Sequence, residues 1–599
     1  MKFKIQHKIA TVVLLAGLTP AFAQKKDENI GTEVVNVVKP YTPTVSDAFK
    51  VKETPSLDDE DNTKKEPVKY NIFSFPVAST FTPSKGRAAG VDKSKQERLF
   101  KNYFTSGFGN YLTAFAELYV TEEISDNDYV AGMVKHLSSN GGIKDILLDD
   151  KYLTSSIDLT YGSKQDGLSW NADLGYQIQK YNWYGVPTDY AINQFSEVDR
   201  GLFFNDLNKR DAVQTYNNLY ISGNLKLNES TFDGVSLKYN RFWDAYGSAE
   251  NRFYVKPSFQ FDIAENTIKT EIIADYLGGE FEKDFSGLTP IKYGFTNFGI
   301  HPSFAMQRDD WSFNIGASAF YSVDTENSDN KFYVYPNASA SLNVVGDLMV
   351  FYLGAEGTLE QNSYRDFTNE NPFLSPTLGI TPTDRQLDAF VGLKGKLSNY
   401  ISYNVRGSMM SERNKALFVS NPTNESIENK EIYKYGNSFG LWYDDIKTLG
   451  FFGELKADLN KDVSIGINGT FNKYEVENQF DEAFNLPEIQ FGANIDVNIT
   501  QKWYAGANLF FVGERKDLLQ RQDGDALLKL SYLPLNTTFT IKTLNSYFDA
   551  NAHVGFKYSE RLTAWLRFNN IANQAYEKWL NYPVQSFQAM IGASYKFDF

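Results

Sequence analysis

The chain contains no cysteine. Disulfides, a thiolate nucleophile and a cysteine-held metal are therefore excluded. Histidine is almost as scarce, with four in 599 residues. No His-x-x-x-His pair and no Asp-x-Asp-x-Asp-Gly loop occurs, so the common zinc and calcium motifs are lacking. Basic residues are outnumbered, with Lys and Arg at 59 against Asp and Glu at 74. A net charge of −15 argues against nucleic-acid binding. Proline is sparse at 19. No stretch supplies the roughly 18 consecutive apolar residues of a membrane-spanning helix.

Aromatics are what the chain has in excess, with 47 Phe and 37 Tyr. Mean hydropathy is nevertheless only −0.40. Both fit strands that are apolar on one face only. The last stretch shows this most clearly. In Ser586–Phe599 the residues Phe587, Ala589, Ile591, Ala593, Tyr595, Phe597 and Phe599 alternate with Ser586, Gln588, Met590, Gly592, Ser594, Lys596 and Asp598. Period two is a strand signal. An apolar face of that length suits a wall between lipid and a polar lumen.

The amino-terminal residues read as processing and tether segments. Lys2, Lys4 and Lys8 precede the apolar run 9–18, and Ala21-Phe22-Ala23 offers a small-x-small cleavage site. We therefore expect a signal peptide over 1–23. Residues 24–68 hold four prolines and dense mixed charge, which predicts a disordered periplasmic tether. From there the expectation is a barrel over 69–599. Alternating segments recur near 70–81, 107–120, 128–138, 152–163 and 168–179, and onward to the carboxy-terminus. Polar turns such as Arg308-Asp309-Asp310 and Asn460-Lys461-Asp462 alternate with long connections near 180–216, 361–387, 411–448, 514–545 and 570–585. Short turns at one end and long loops at the other are the asymmetry of a membrane barrel. The predicted fold is all-β, a transmembrane antiparallel up-and-down β-barrel of about 20–22 strands. Its tail and carboxy-terminus are expected in the periplasm, with its wall in outer-membrane lipid.

The late barrel resembles a family. Ala483-Phe484-Asn485-Leu486-Pro487, then Lys502-Trp503, then Gly513-Glu514-Arg515, and finally Phe568–Glu577 with Asn581-Tyr582-Pro583, are similar to the closing strands of TonB-dependent receptors. The segment Glu33, Val34, Val35, Asn36, Val37 and Val38 resembles the piece with which such receptors contact TonB. An ordinary linker segment, or a peptide that adds to a partner's sheet edge, fits it equally. The family's plug domain has no counterpart in the short amino-terminal region. Gly107–Tyr111, Lys135–Ser139 and Val37–Tyr41 resemble a plugless group of receptor-like barrels, at least one of which serves an outer-membrane protein assembly machine.

No catalytic, cofactor or metal residues are assigned, and an enzyme is not expected. After residue 23 the histidines are His136, His301 and His553, each read as a solvated lumen or loop residue. His136-Leu137-Ser138 is expected not to assemble, because strand neighbours point to opposite faces. In the loop 180–216, Trp183, Tyr184, Phe203 and Phe204 are contact candidates, for a partner or for other loops. Without a plug the lumen of so wide a ring needs another occluder. The expected function is an accessory subunit of an envelope complex for outer-membrane protein assembly or secretion, with other outer-membrane or periplasmic subunits as partners. The alternative is a plugless or partner-gated pore for a nutrient such as an oligosaccharide.

Overall fold

The structure, a computed structural model, describes residues 100–187, 204–228, 230–263, 266–422, 431–523 and 536–599. The expected signal peptide, tether, segment 33–38 and strand 70–81 lie outside them.

Twenty-two strands form one closed antiparallel sheet. Each strand pairs with the next from Asn102–Gly109 through Trp503–Val512. Trp503–Val512 then pairs with Tyr547–Lys557, which pairs with Leu562–Asn569, which pairs with Gln588–Phe597. The ring closes where Gln588–Phe597 meets Asn102–Gly109, in register from Asn102↔Phe597 to Gly109↔Met590.

The alternation read from the sequence is the alternation of the wall. Ile591 is 65% exposed on the outer face, whereas Met590 is 3% exposed on the inner face. The outer face carries an apolar belt that includes Phe104, Val134, Leu159, Ile221, Phe253 and Phe451, all exposed. Aromatic pairs edge the belt near the short turns: Tyr161 with Trp170 at 5.5 Å, Phe232 with Phe259 at 5.4 Å and Trp503 with Phe556 at 4.7 Å. Such a belt with an aromatic rim is the lipid-facing surface of a transmembrane barrel. The inner face pairs opposite charges across strands. Arg252 binds Asp275 at 2.7 Å, Arg385 binds Glu360 at 2.7 Å, and Arg406 binds Asp388 at 2.8 Å.

One end has tight turns, and their residues explain the tightness. Turn 166–167 places Gly167 at φ 83°, and turn 309–310 places Asp309 at φ 52°. Both angles belong to the left-handed region that Gly and Asp tolerate in hairpins. The other end carries the long connections, namely 140–151, 183–212, 361–382, 421–438, 477–488, 513–546 and 570–587.

Two expectations change. The segment 107–120 is two strands, Asn102–Gly109 and Ala114–Glu123. Tyr111 and Leu112 turn between them at φ 56° and 50°. Apolar alternation runs straight through this hairpin, so periodicity alone does not reveal the turn. The expected loop 411–448 is largely strand, because Ile401–Ser420 and Phe439–Asn460 continue well past the belt. A register shift between Glu412 and Lys415, with Asn414 at φ 56°, resets the pairing there.

One side chain packs across the closing seam. The Trp565 ring lies inside the wall across Gly107 and Gly592, which face each other in the closing pair. A Cβ at Gly592 would stand 2.2 Å from that ring and 2.3 Å from the Ser106 carbonyl oxygen. The indole Nε1 donates to Thr105 Oγ1 at 3.2 Å, and the Ser594 hydroxyl donates to the same oxygen at 2.7 Å.

Candidate functional site: the closed mouth of the barrel

The long loops fold onto one another. Their central element is the helix Tyr364–Glu370. Ser363 caps it by accepting the Asp366 amide at 3.0 Å, and Asp366 lies in the first turn, where a negative charge suits the helix dipole. The wall supplies a second cap. The buried Glu250 carboxylate accepts the amides of Tyr364 and Arg365 at 2.7 and 3.3 Å and the Tyr293 hydroxyl at 2.8 Å. The Tyr364 hydroxyl donates to Asp244 at 2.8 Å, and Gln214 donates to the same oxygen at 3.1 Å. Tyr216 donates to the Pro372 carbonyl at 2.9 Å. Both buried wall carboxylates thus accept hydrogen bonds from this loop, Glu250 from two backbone amides and Asp244 from the Tyr364 hydroxyl, which binds the loop to one position.

The neighbouring loops complete an apolar core. Trp183, Tyr364, Phe373, Leu374, Tyr433 and Phe439 are buried together with Trp579 and Tyr582. Phe373 stacks on Tyr582 at 3.7 Å, Tyr184 meets Tyr582 edge-on at 4.8 Å, and Trp183 packs at 5.2 Å from Tyr246. Gly185 is required at this point, since a Cβ there would fall 2.3 Å from the Tyr582 ring. Backbone bonds join loop to loop: Ser375 N–H to the Phe439 carbonyl at 2.9 Å, and Phe439 N–H to the Phe373 carbonyl at 3.1 Å. Asn437 donates to the Trp183 carbonyl at 2.8 Å, and the Tyr582 hydroxyl donates to the Asn437 carbonyl. Each fully buried aromatic contributes on the order of 2–3 kcal/mol, so the closure is a core and not a loose cover.

A hairpin of Arg515–Asp523 and Asn536–Leu544 stands beside this core. Asp517 anchors it, accepting the Ser420 amide and hydroxyl, both at 3.0 Å. Burial raises the Asp517 carboxyl above the ordinary carboxylate range, and its hydrogen bonds only partly offset that.

Of the loop residues singled out from the sequence, Trp183 is 0% exposed within the core and Tyr184 is partly buried against it. Phe204 packs against its edge, and Phe203 lies outside the described residues. The sequence reading missed Tyr364, Phe373, Tyr433, Trp579 and Tyr582. Their available signal was aromatic density inside long connections that lack strand periodicity.

The histidines fall in different settings. His553 faces the lumen, with Nε2 at 3.9 Å from Asp496, and His301 lies on the inner face of its strand. His136 is a correction, because it sits on the outer face. Its Nδ1 is 2.8 Å from Ser155 Oγ and its Nε2 is 3.1 Å from Ser138 Oγ. His136 and Ser138 are two apart in one strand and therefore share a face. Gly436-Asn437-Ser438-Phe439-Gly440 spells a nucleophile elbow. Ser438, however, is wholly buried, donating to the Tyr433 carbonyl at 2.6 Å and accepting from Asn421 at 2.9 Å. Those partners make it a structural hydroxyl. Among the described residues no cluster of three His, Asp or Glu groups is arranged to hold a metal ion.

A wide antiparallel barrel with tight turns at one end and a loop-packed mouth at the other defines an architecture of outer-membrane receptors and transporters. Three solved structures share it. The ferric-catecholate import receptor Fiu from Escherichia coli K12 aligns over 84% of this chain and 83% of its own, with TM-score 0.57 and 11% identity. The pyoverdine outer-membrane receptor FpvA from Pseudomonas aeruginosa aligns over 84% and 80%, with TM-score 0.59 and 10% identity. The FrpB iron transporter from Neisseria meningitidis aligns over 84% and 82%, with TM-score 0.59 and 10% identity. At such identities the likeness is one of fold. No family model matches the chain, and no curated protein matches it.

Proposed function

We propose that the chain is an outer-membrane transport barrel whose mouth is shut at rest by its own loops and opened by a ligand or partner. The carrying observation is the mouth core around Tyr364, Phe373 and Tyr582, fastened to the wall through Asp244 and Glu250. It supplies the occlusion that a ring of this width needs. The fold shared with import receptors favours transport over the assembly or secretion subunit expected from the sequence. In this reading residues 1–23 direct export, the short turns and both termini face the periplasm, and Glu33–Val38 contacts the energy-coupling partner. The barrel is not an enzyme in its transport role, and no plug domain is needed to seal it from outside.

Uptake in cells lacking the protein tests this reading. Strains with and without the gene are fed labelled iron–siderophore complexes and labelled oligosaccharides. The reading expects loss of at least one cargo, restored by the wild-type gene and not by a chain lacking 33–38. Unchanged uptake of every cargo, with a stoichiometric set of assembly or secretion proteins co-purifying, overturns it in favour of the subunit.

A further inference from the structure

The outer face of the wall carries a hydrogen-bonded polar set at the edge of its apolar belt. Ala116, His136 and Ser155 lie side by side on three neighbouring strands. One step toward the short turns the same face presents Leu118, Val134 and Ile157, the last two exposed as lipid-facing residues. Strand Asp128–Ser139 ends just beyond Ser138, and Tyr152–Gln165 begins just before Ser155. The set thus sits at the long-loop margin of the belt, the depth at which lipid headgroups give way to acyl chains.

Imidazole and hydroxyl groups facing lipid are costly unless they are paired. Here they are paired in a chain. Ser138 Oγ is 3.1 Å from His136 Nε2, and Ser155 Oγ is 2.8 Å from His136 Nδ1. This is the order nucleophile, base, orienting group. When Nδ1 carries the proton and donates it to Ser155, Nε2 is left as the acceptor for the Ser138 hydroxyl. A cation completes the outline. Lys180 is exposed on the outer row that runs from Ser138 through Leu153, two strands along. That places their backbones about 10 Å apart, a gap that the flexible four-carbon lysine stem can narrow toward the shorter span between a headgroup phosphate and a lipid ester.

We propose that Ser138, His136 and Ser155 form an acyl-ester hydrolase site for glycerophospholipids in the surrounding leaflet. Ser138 Oγ bonds to the ester carbonyl carbon and its proton passes to His136 Nε2. The carbon–oxygen bond to the glycerol breaks, and the glycerol oxygen takes that proton. Water then attacks the acyl-serine and gives a proton to His136, which returns it to Ser138 Oγ as the free fatty acid departs. Lys180 holds the phosphate, and Ser155 is a positioning residue. The activity belongs to the outer face and is independent of transport through the lumen.

Full-length protein in phosphatidylcholine mixed micelles tests the proposal, with a long-chain alkyl fluorophosphonate as the covalent probe. The wild type is expected to take one probe at Ser138 and to release fatty acid. Ser138→Ala abolishes labelling, and His136→Ala lowers both readouts by more than about a hundredfold. Ser155→Ala lowers kcat more than KM and moves the pH profile, and Ser155→Thr restores both. Lys180→Ala raises KM for phospholipid but not for an uncharged ester. Heat-modifiable migration on gels shows that each variant retains its barrel. A folded wild type that neither labels nor releases fatty acid overturns the proposal, as does labelling that persists in Ser138→Ala.

Discussion

The wall and the mouth are built from the same aromatic-rich composition but by different rules. In the wall, backbone ladders satisfy the chain and side chains only have to alternate. Neighbouring strands make the same contacts repeatedly, so no single outer residue is decisive. In the mouth few ladders exist, and position is set by side chains: Tyr364 on Asp244, amides on Glu250, Phe373 on Tyr582. The wall therefore tolerates change outside its closing seam, whereas the mouth depends on a handful of groups.

The largest expected effect is where the wall behaves like the mouth. Gly592→Val drives a side chain into Trp565 and the Ser106 carbonyl. The barrel should fail to close, seen as loss of the heat-modifiable band. If the band persists, the seam is held by its ladder alone. Next is Tyr582→Ala, which empties a fully buried ring site. A loss of about 3–5 kcal/mol confined to the loops is expected, so protease should cut within 570–587 while the barrel band survives. Cleavage no faster than in wild type would contradict the described core.

A smaller effect follows from Asp517. Its folded-state pKa is raised, so its contribution to stability is fully present below the ordinary carboxylate value and is lost as pH rises through the raised value. Local opening of the 515–544 hairpin, followed by hydrogen exchange corrected for the intrinsic pH dependence, should rise as pH climbs above the ordinary carboxylate range. Asp517→Asn should flatten that dependence. Smallest of all is Ile591→Ala on the lipid face. Its expected cost is below about 1 kcal/mol in a folded barrel, because lipid fills the space a packed core would leave empty.

The same contrast decides what the sequence could tell. The wall was legible because period two is local: Met349–Glu360 was located to the residue, and most other strands to within a few. It misled where alternation crossed the turn at Tyr111 and Leu112, and where Ile401–Ser420 outran the belt. The 22 strands fall within the expected 20–22, although the membership differs, since one expected strand is two and another lies outside the described residues. The mouth was not legible, because Phe373 meets Tyr582 across more than two hundred residues of chain. The pairing of His136 with Ser155 needed the register of two neighbouring strands.

The most direct test of the shut mouth is conductance in planar bilayers, comparing the wild type with a Phe373→Ala, Tyr582→Ala double variant. The account predicts a silent wild type and a variant that opens to a large conductance while keeping its heat-modifiable barrel. A wild type that conducts steadily, or a folded variant as silent as the wild type, would contradict it.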